Sequence, residues 1–208
     1  ATTITSGSNI TTRDNASGVD FKSNGNITID PGSGAGVGFK TTGPLTITTT
    51  ADNNIIDIKG DMIGVDATAT STESITLTDS SAGGTIKIAG DISTEYKSVT
   101  LTAVDEIQLG GTITTVDVAD NDVDINGPVT LTANTTIDTS NNDGFIDFSS
   151  SIDGGFNLTL DSDSGAITVT GAIGGGTPIK VLDINHNDGA GVITLKGCLL
   201  YTSDAADE

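Results

Sequence analysis

The sequence predicts an all-β chain wound as a right-handed parallel β-helix, a solenoid of irregular turns with almost no helix. Three observations carry that expectation. A short apolar–Thr–apolar core recurs at Ile27-Thr28-Ile29, Leu45-Thr46-Ile47, Ile75-Thr76-Leu77, Val99-Thr100-Leu101, Val129-Thr130-Leu131 and Leu158-Thr159-Leu160. Turn residues fill the gaps between these cores. No stretch of ten or more residues places apolar side chains at helical spacing.

The strand cores define the elements. Successive cores start 18, 30, 24, 30 and 29 residues apart, and Leu182-Asp183-Ile184 follows after a further 24. A loose period of tens of residues is the mark of a solenoid, a propeller or an array, with corners that tolerate insertions. In three places a second alternating run begins 11 residues after the first: Leu45 to Ile56, Ile75 to Ile86 and Leu182 to Ile193. Alternation of apolar and polar residues is the period of a half-buried strand.

The corners are written in Asn24-Gly25, Asp30-Pro31-Gly32, Gly43-Pro44, Asn126-Gly127-Pro128, Asp143-Gly144 and Gly174-Gly175-Gly176. Gly and Asn tolerate the positive φ of tight corners. A β-sandwich fits less well. Its strands are longer and it packs around large aromatic anchors, whereas this chain has no Trp and only 3% aromatic residues. In a solenoid, each turn buries its Ile and Leu side chains against the next one, and Thr faces water.

Composition separates this chain from a disordered one. Leu, Ile, Val and Phe make up 52 of 208 residues, a quarter of the chain, above the roughly 20% below which disorder is favoured. Ile outnumbers Leu about two to one, and β-branched side chains suit a pleated surface. The net charge of -20 comes from scattered Asp. Such a surface repels nucleic acid and anionic membrane. No apolar run reaches the roughly 18 residues of a membrane span. The chain opens in mid-pattern, at Ala1-Thr2-Thr3-Ile4-Thr5, and reads as a piece of something longer.

The last eleven residues, from Cys198 to Glu208, break the alternation and carry the only Cys. This segment resembles the in-frame translation of a transposon-based sequencing adapter. The reading is therefore a single β-solenoid fragment over 1–197 and a non-native tail over 198–208. Cys198 is accordingly set aside as nucleophile and as ligand.

Four features could carry chemistry. Asp122-Val123-Asp124-Ile125-Asn126-Gly127 fits the opening of a calcium loop, with oxygen donors at every second position and Gly at the sharp turn. The bidentate Glu of that loop would fall at Ala133, so Asp122, Asp124 and Asn126 form an incomplete metal site. The competing reading is a strand with outward Asp124 ending in an Asn-Gly turn.

Thr-x-Thr pairs at 46/48, 76/78, 100/102 and 130/132 would form a hydroxyl ladder like that of ice-binding solenoids if they stacked in register. The uneven spacing and the Leu158-Thr159-Leu160-Asp161 core argue against such stacking. His186 is the only histidine. With no second His and no usable Cys it builds neither a metal site nor a triad. Paired carboxylates for glycoside cleavage are the one chemistry an Asp-rich solenoid could conceal, and the sequence offers few Trp, Tyr, Arg or His to grip a sugar.

One resemblance adds to this. The segments Gly127-Pro128-Val129-Thr130-Leu131-Thr132-Ala133-Asn134-Thr135-Thr136-Ile137 and Gly154-Gly155-Phe156-Asn157-Leu158-Thr159-Leu160 look like strand repeats of giant bacterial surface proteins. So does the run Gly165-Ala166-Ile167-Thr168-Val169-Thr170-Gly171-Ala172-Ile173-Gly174. Those proteins are the filamentous haemagglutinin-like and autotransporter-like adhesins. The resemblance covers most of 20–197. It implies a right-handed β-helix, export by a type V-like route, and a stalk without catalysis. It also implies an extracellular or cell-surface home, no cofactor, and host, cell-surface or matrix ligands bound by regions outside this fragment. The alternatives are a calcium- or surface-binding module and a polysaccharide-active enzyme.

Overall fold

In the computed structural model the backbone winds repeatedly past three parallel sheets, and neighbouring strands of each sheet are three apart in chain order, or two apart at the last pairing of the second and third sheets. The structure describes residues 2–5, 10–11, 18–30, 37–64, 74–95, 97–116, 121–185 and 191–200.

The first sheet has seven strands: Thr2–Thr5, Ile27–Asp30, Ile55–Ile58, Thr85–Ile88, Glu106–Leu109, Val129–Leu131 and Ile152–Asp153. The second has eight: Ile10–Thr11, Val37–Thr41, Asp61–Gly64, Ile92–Thr94, Thr112–Thr115, Thr135–Asp138, Asn157–Asp161 and Val181–Asn185. The third also has eight: Val19–Ser23, Leu45–Thr49, Ile75–Asp79, Val99–Ala103, Val123–Asn126, Ile146–Phe148, Ile167–Val169 and Ile193–Leu195. The only helical turn among the described residues is a 3-10 turn at Ser140–Asn142. The expected all-β solenoid with almost no helix is therefore what the chain forms.

Register explains why these residues pair as they do. Leu45, Ile75, Val99, Val123, Ile146, Ile167 and Ile193 are successive Cα partners on the third sheet. Ile27, Ile56, Ile86, Ile107, Val129 and Ile152 form the matching column on the first. Phe39, Met62, Ile92, Ile113, Ile137, Leu160 and Ile184 form it on the second.

Nearly all of these side chains are at most 3% exposed and make one continuous core. Burying one such side chain fully contributes roughly 1.5–3 kcal/mol, and no single coil can supply the cover alone. Near one end, the Phe21 ring meets Phe39 edge-on, with centroids 5.9 Å apart.

The true repeat is the coil, and the apolar–Thr–apolar unit is not confined to one sheet. Ile27-Thr28-Ile29 and Val129-Thr130-Leu131 lie on the first sheet, Leu158-Thr159-Leu160 on the second, and the other three on the third. The 11-residue step joins the third sheet to the first at Leu45 and Ile75, but the second to the third at Leu182. Any strand with one face inward and one outward can be written that way, so the motif does not tell which sheet it belongs to.

The corners absorb the uneven spacing. Side-chain bonds between neighbouring coils join residues from 21 to 30 positions apart, while the strands between them stay in register. Asn53 and Gly83 occupy matching corner positions on adjacent coils and both take positive φ, 58° and 73°. The ladder also runs on past the expected boundary at Gly197. Ile173 N–H donates to Cys198 O at 3.0 Å, and Leu200 N–H donates to Ile173 O at 3.0 Å. Residues 201–208 lie outside the described residues.

Candidate functional site: the outer faces and corners

The outward side of the third sheet carries two columns of side chains. One reads Asp20, Thr46, Thr76, Thr100, Asp124, Asp147, Thr168 and Thr194. The other begins Lys22, Thr48, Thr78, Thr102 and Asn126. Three consecutive rungs therefore present six half-buried threonines in register. The rungs repeat at about 4.8 Å, and the two columns lie about 6.6 Å apart along the strands.

The spacing objection to this ladder does not hold, because the corners take up the extra residues. Its expected membership does change: Thr130 and Thr132 belong to the first sheet's turn of the coil, and Leu158 lies on the second sheet. Neither extends nor interrupts the array.

The calcium-loop residues sit at the edge of the same face. Asp124 stacks between Thr100 and Asp147. Its carboxyl is held above the usual carboxylate range, first by burial, then by the negative charges of Asp122 and Asp147. Asp122 Oδ1 accepts the N–H of Phe145 at 2.8 Å. Asn126 is exposed at the strand end. Among the described residues no three His, Cys, Asp or Glu side chains are grouped to hold a metal. His186 lies outside the described residues.

What Asp122 does, many acidic and amide side chains do. Asp61 accepts the N–H of Asp91 at 3.0 Å, and Asp91 accepts the N–H of Thr112 at 2.7 Å. Asn26 accepts from Ile55, Asn134 from Asn157, and Asp153 from Gly176 and Thr177. Asp143 accepts from Ser164, whose side-chain and backbone hydrogen bonds lower its pKa. In every case the acceptor precedes the donor by one coil. These side chains satisfy backbone N–H groups at corners and at the first residues of strands on the following coil. A shallow groove of about 300 Å³ on the second sheet, lined by Asp61, Ile63, Asp91, Ile92, Ser93, Thr112 and Thr114, has both its carboxylates engaged this way.

The apolar–Thr alternation points Thr outward, yet a buried hydroxyl column lines the place where the second sheet turns into the third. Thr41, Thr94, Thr115, Thr139 and Ser162 are at most 1% exposed. Each donates its hydroxyl to a corner carbonyl: Gly43 at 2.6 Å, Lys97 at 2.5 Å, Asn121 at 2.6 Å, Gly144 at 2.6 Å and Gly165 at 2.7 Å. The signal was present as apolar–x–Thr/Ser at a strand end, in Phe39-Lys40-Thr41, Ile92-Ser93-Thr94, Ile113-Thr114-Thr115, Ile137-Asp138-Thr139 and Leu160-Asp161-Ser162.

No protein-family model matches the chain, and neither the curated proteins nor the solved structures give a match.

Proposed function

We propose that this solenoid is a structural shaft segment of an extracellular bacterial adhesin or exoprotein, exported as part of a longer chain and devoid of catalysis. One observation supports the reading above others: at seven positions, Asn26, Asp61, Asp91, Asp122, Asn134, Asp143 and Asp153, a side chain is spent on a hydrogen bond to the next coil. An acidic chain that uses its carboxylates to bind its own backbone is built for stiffness along its axis. Ligands on a host, a cell surface or a matrix would be met by other parts of the longer protein. The resemblance to filamentous haemagglutinin-like and autotransporter-like repeats agrees with this role.

The test is to measure shape and binding on the same preparation. Small-angle scattering should give a rod that lengthens by about 4.8 Å per coil. Arrays of glycans and matrix proteins should show no saturable binding to it. Reproducible saturable binding, or cleavage of a polysaccharide, would overturn the shaft reading.

A second reading, a surface-binding module, is favoured by the six-threonine array. A charge-free lattice of hydroxyls and methyls on an acidic rod suits an ordered hydrated surface such as ice. Thermal hysteresis that disappears in Thr76→Lys would support this reading. Ordinary freezing of the unmodified chain would end it.

A further inference from the structure

Two successive corners between the third and first sheets carry buried polar atoms that the protein itself leaves unmatched. The corners are residues 49–55 and 79–85. Thr49 and Asp79 are Cα partners, as are Ile55 and Thr85. Between them Ser81 Oγ donates to Ala51 O at 2.7 Å, Asn53 N–H to Ala82 O at 2.8 Å and Thr85 N–H to Asn54 O at 3.1 Å. The two corners are thus stacked residue on residue.

Thr49, Asn54 and Asp79 are 1%, 6% and 0% exposed. Asp79 Oδ1 accepts the Ser81 N–H at 3.4 Å and lies 2.5 Å from Ser81 Oγ, whose single proton is shared between it and Ala51 O. Its other oxygen, Oδ2, has no partner, and neither has Thr49 Oγ1 nor Asn54 Nδ2. The side chains are complementary in size. Asn54 fills a corner position that Gly84 leaves open one coil further on. A Cβ at Gly84 would stand 2.4 Å from Asp79 Oδ1 and 2.5 Å from its Cγ, so the glycine makes room for the carboxyl group.

We infer that one water molecule is bound inside the solenoid between these coils, held by Thr49 Oγ1, Asn54 Nδ2 and Asp79 Oδ2. Thr49 and Asp79 stack on adjacent coils about 4.8 Å apart, and no direct bond joins their unmatched oxygens, so one intervening oxygen can bond to both. A buried water makes about three hydrogen bonds to otherwise unmatched groups, and three such groups belong to these two stacked corners. The chemistry balances: the water donates to Asp79 Oδ2 and Thr49 Oγ1 and accepts from Asn54 Nδ2–H. A metal ion could not accept that N–H. Leaving a buried carboxylate oxygen unpaired is costly, so the water is an integral part of this joint.

A high-resolution crystal structure of the 208-residue chain tests this. One ordered peak is expected within hydrogen-bond distance of all three atoms, and it should be lost in Thr49→Val. Direct bonding of Asn54 Nδ2 to Asp79 Oδ2, or a peak at metal–oxygen distances, would overturn the inference. If Thr49→Val fails to fold, water–amide cross-relaxation on the unmodified protein decides instead. A long-lived water must be seen near the amides of Thr49 and Asp79, and its absence would refute the site.

Discussion

Asp61 accepts the backbone N–H of Asp91, one coil further on, at 3.0 Å, and Asp91 repeats the contact on Thr112 at 2.7 Å. The carboxylates lie on the outside, yet each is tied to the backbone of its neighbour. A charge-assisted hydrogen bond is stronger than a neutral one. Asp91→Ala should therefore lower stability by about 1 kcal/mol, moderated by the exposure of Asp91. Asp91→Asn, which keeps an acceptor oxygen, should recover most of it. Urea melts of the two variants check this, and equal losses would show that the carbonyl geometry is not what matters.

Asp124 carries the opposite effect. Burial and the nearby charges of Asp122 and Asp147 raise its pKa, so the folded state binds its proton more tightly than the unfolded chain does. That contribution favours folding at low pH and is lost as pH rises from the unfolded value through the raised one. Asp124→Asn should therefore raise the melting midpoint near pH 7 and change it little at about pH 3. Millimolar calcium should leave the unmodified midpoint unmoved. A calcium-dependent rise that Asp124→Asn abolishes would instead support the calcium-binding alternative.

Asp143 titrates the other way. The hydroxyl and N–H of Ser164 lower its pKa, so its contribution is present above the unfolded value and fades as pH falls through the lowered one. Ser164→Ala should remove the hydroxyl's share of the shift. The Asp143 carboxyl resonance, followed by NMR titration, should move toward the ordinary carboxylate range.

The solenoid itself was legible because alternation and corner chemistry are local properties. Ile86-Lys87-Ile88 declares two inward residues and one outward one without any knowledge of its neighbours. Sheet membership was not legible, since Thr28, Thr46 and Thr159 face outward from three different sheets. Register depends on how many residues each corner swallows, and only the stacked backbone reveals that. The same limit hid the use of the acidic residues. The bond that Asp122 Oδ1 accepts from the N–H of Phe145, 23 residues on, shows only once the coils are stacked.

The inward hydroxyls give a sharper test of the corner architecture. Thr115 is fully buried and donates to Asn121 O at 2.6 Å. Thr115→Val keeps the shape but strands that carbonyl, and should cost about 1–3 kcal/mol. Thr115→Ser should cost less, because Ser162 makes the same bond at the equivalent corner. For scale, truncating the buried core residue Ile107 to Ala should cost about 2–5 kcal/mol. Parallel denaturant melts rank the three, and a Val variant as stable as the unmodified chain would deny the hydroxyl column a structural part.

The final coil presents the clearest liability. Ile193, Leu195 and Leu199 are between 37% and 42% exposed, whereas their partners one coil earlier, Ile167, Val169 and Ile173, are at most 2% exposed. Strands Val181–Asn185 and Ile193–Leu195 each pair with a single neighbour among the described residues. Open edges and an uncovered apolar column invite another strand. The 208-residue chain should therefore self-associate end to end at micromolar concentration. Ile193→Lys with Leu195→Lys should reduce its mass in light scattering toward the monomer, because inserting charge into a would-be core rung is strongly unfavourable. A monodisperse monomer of the unmodified chain would count against the prediction.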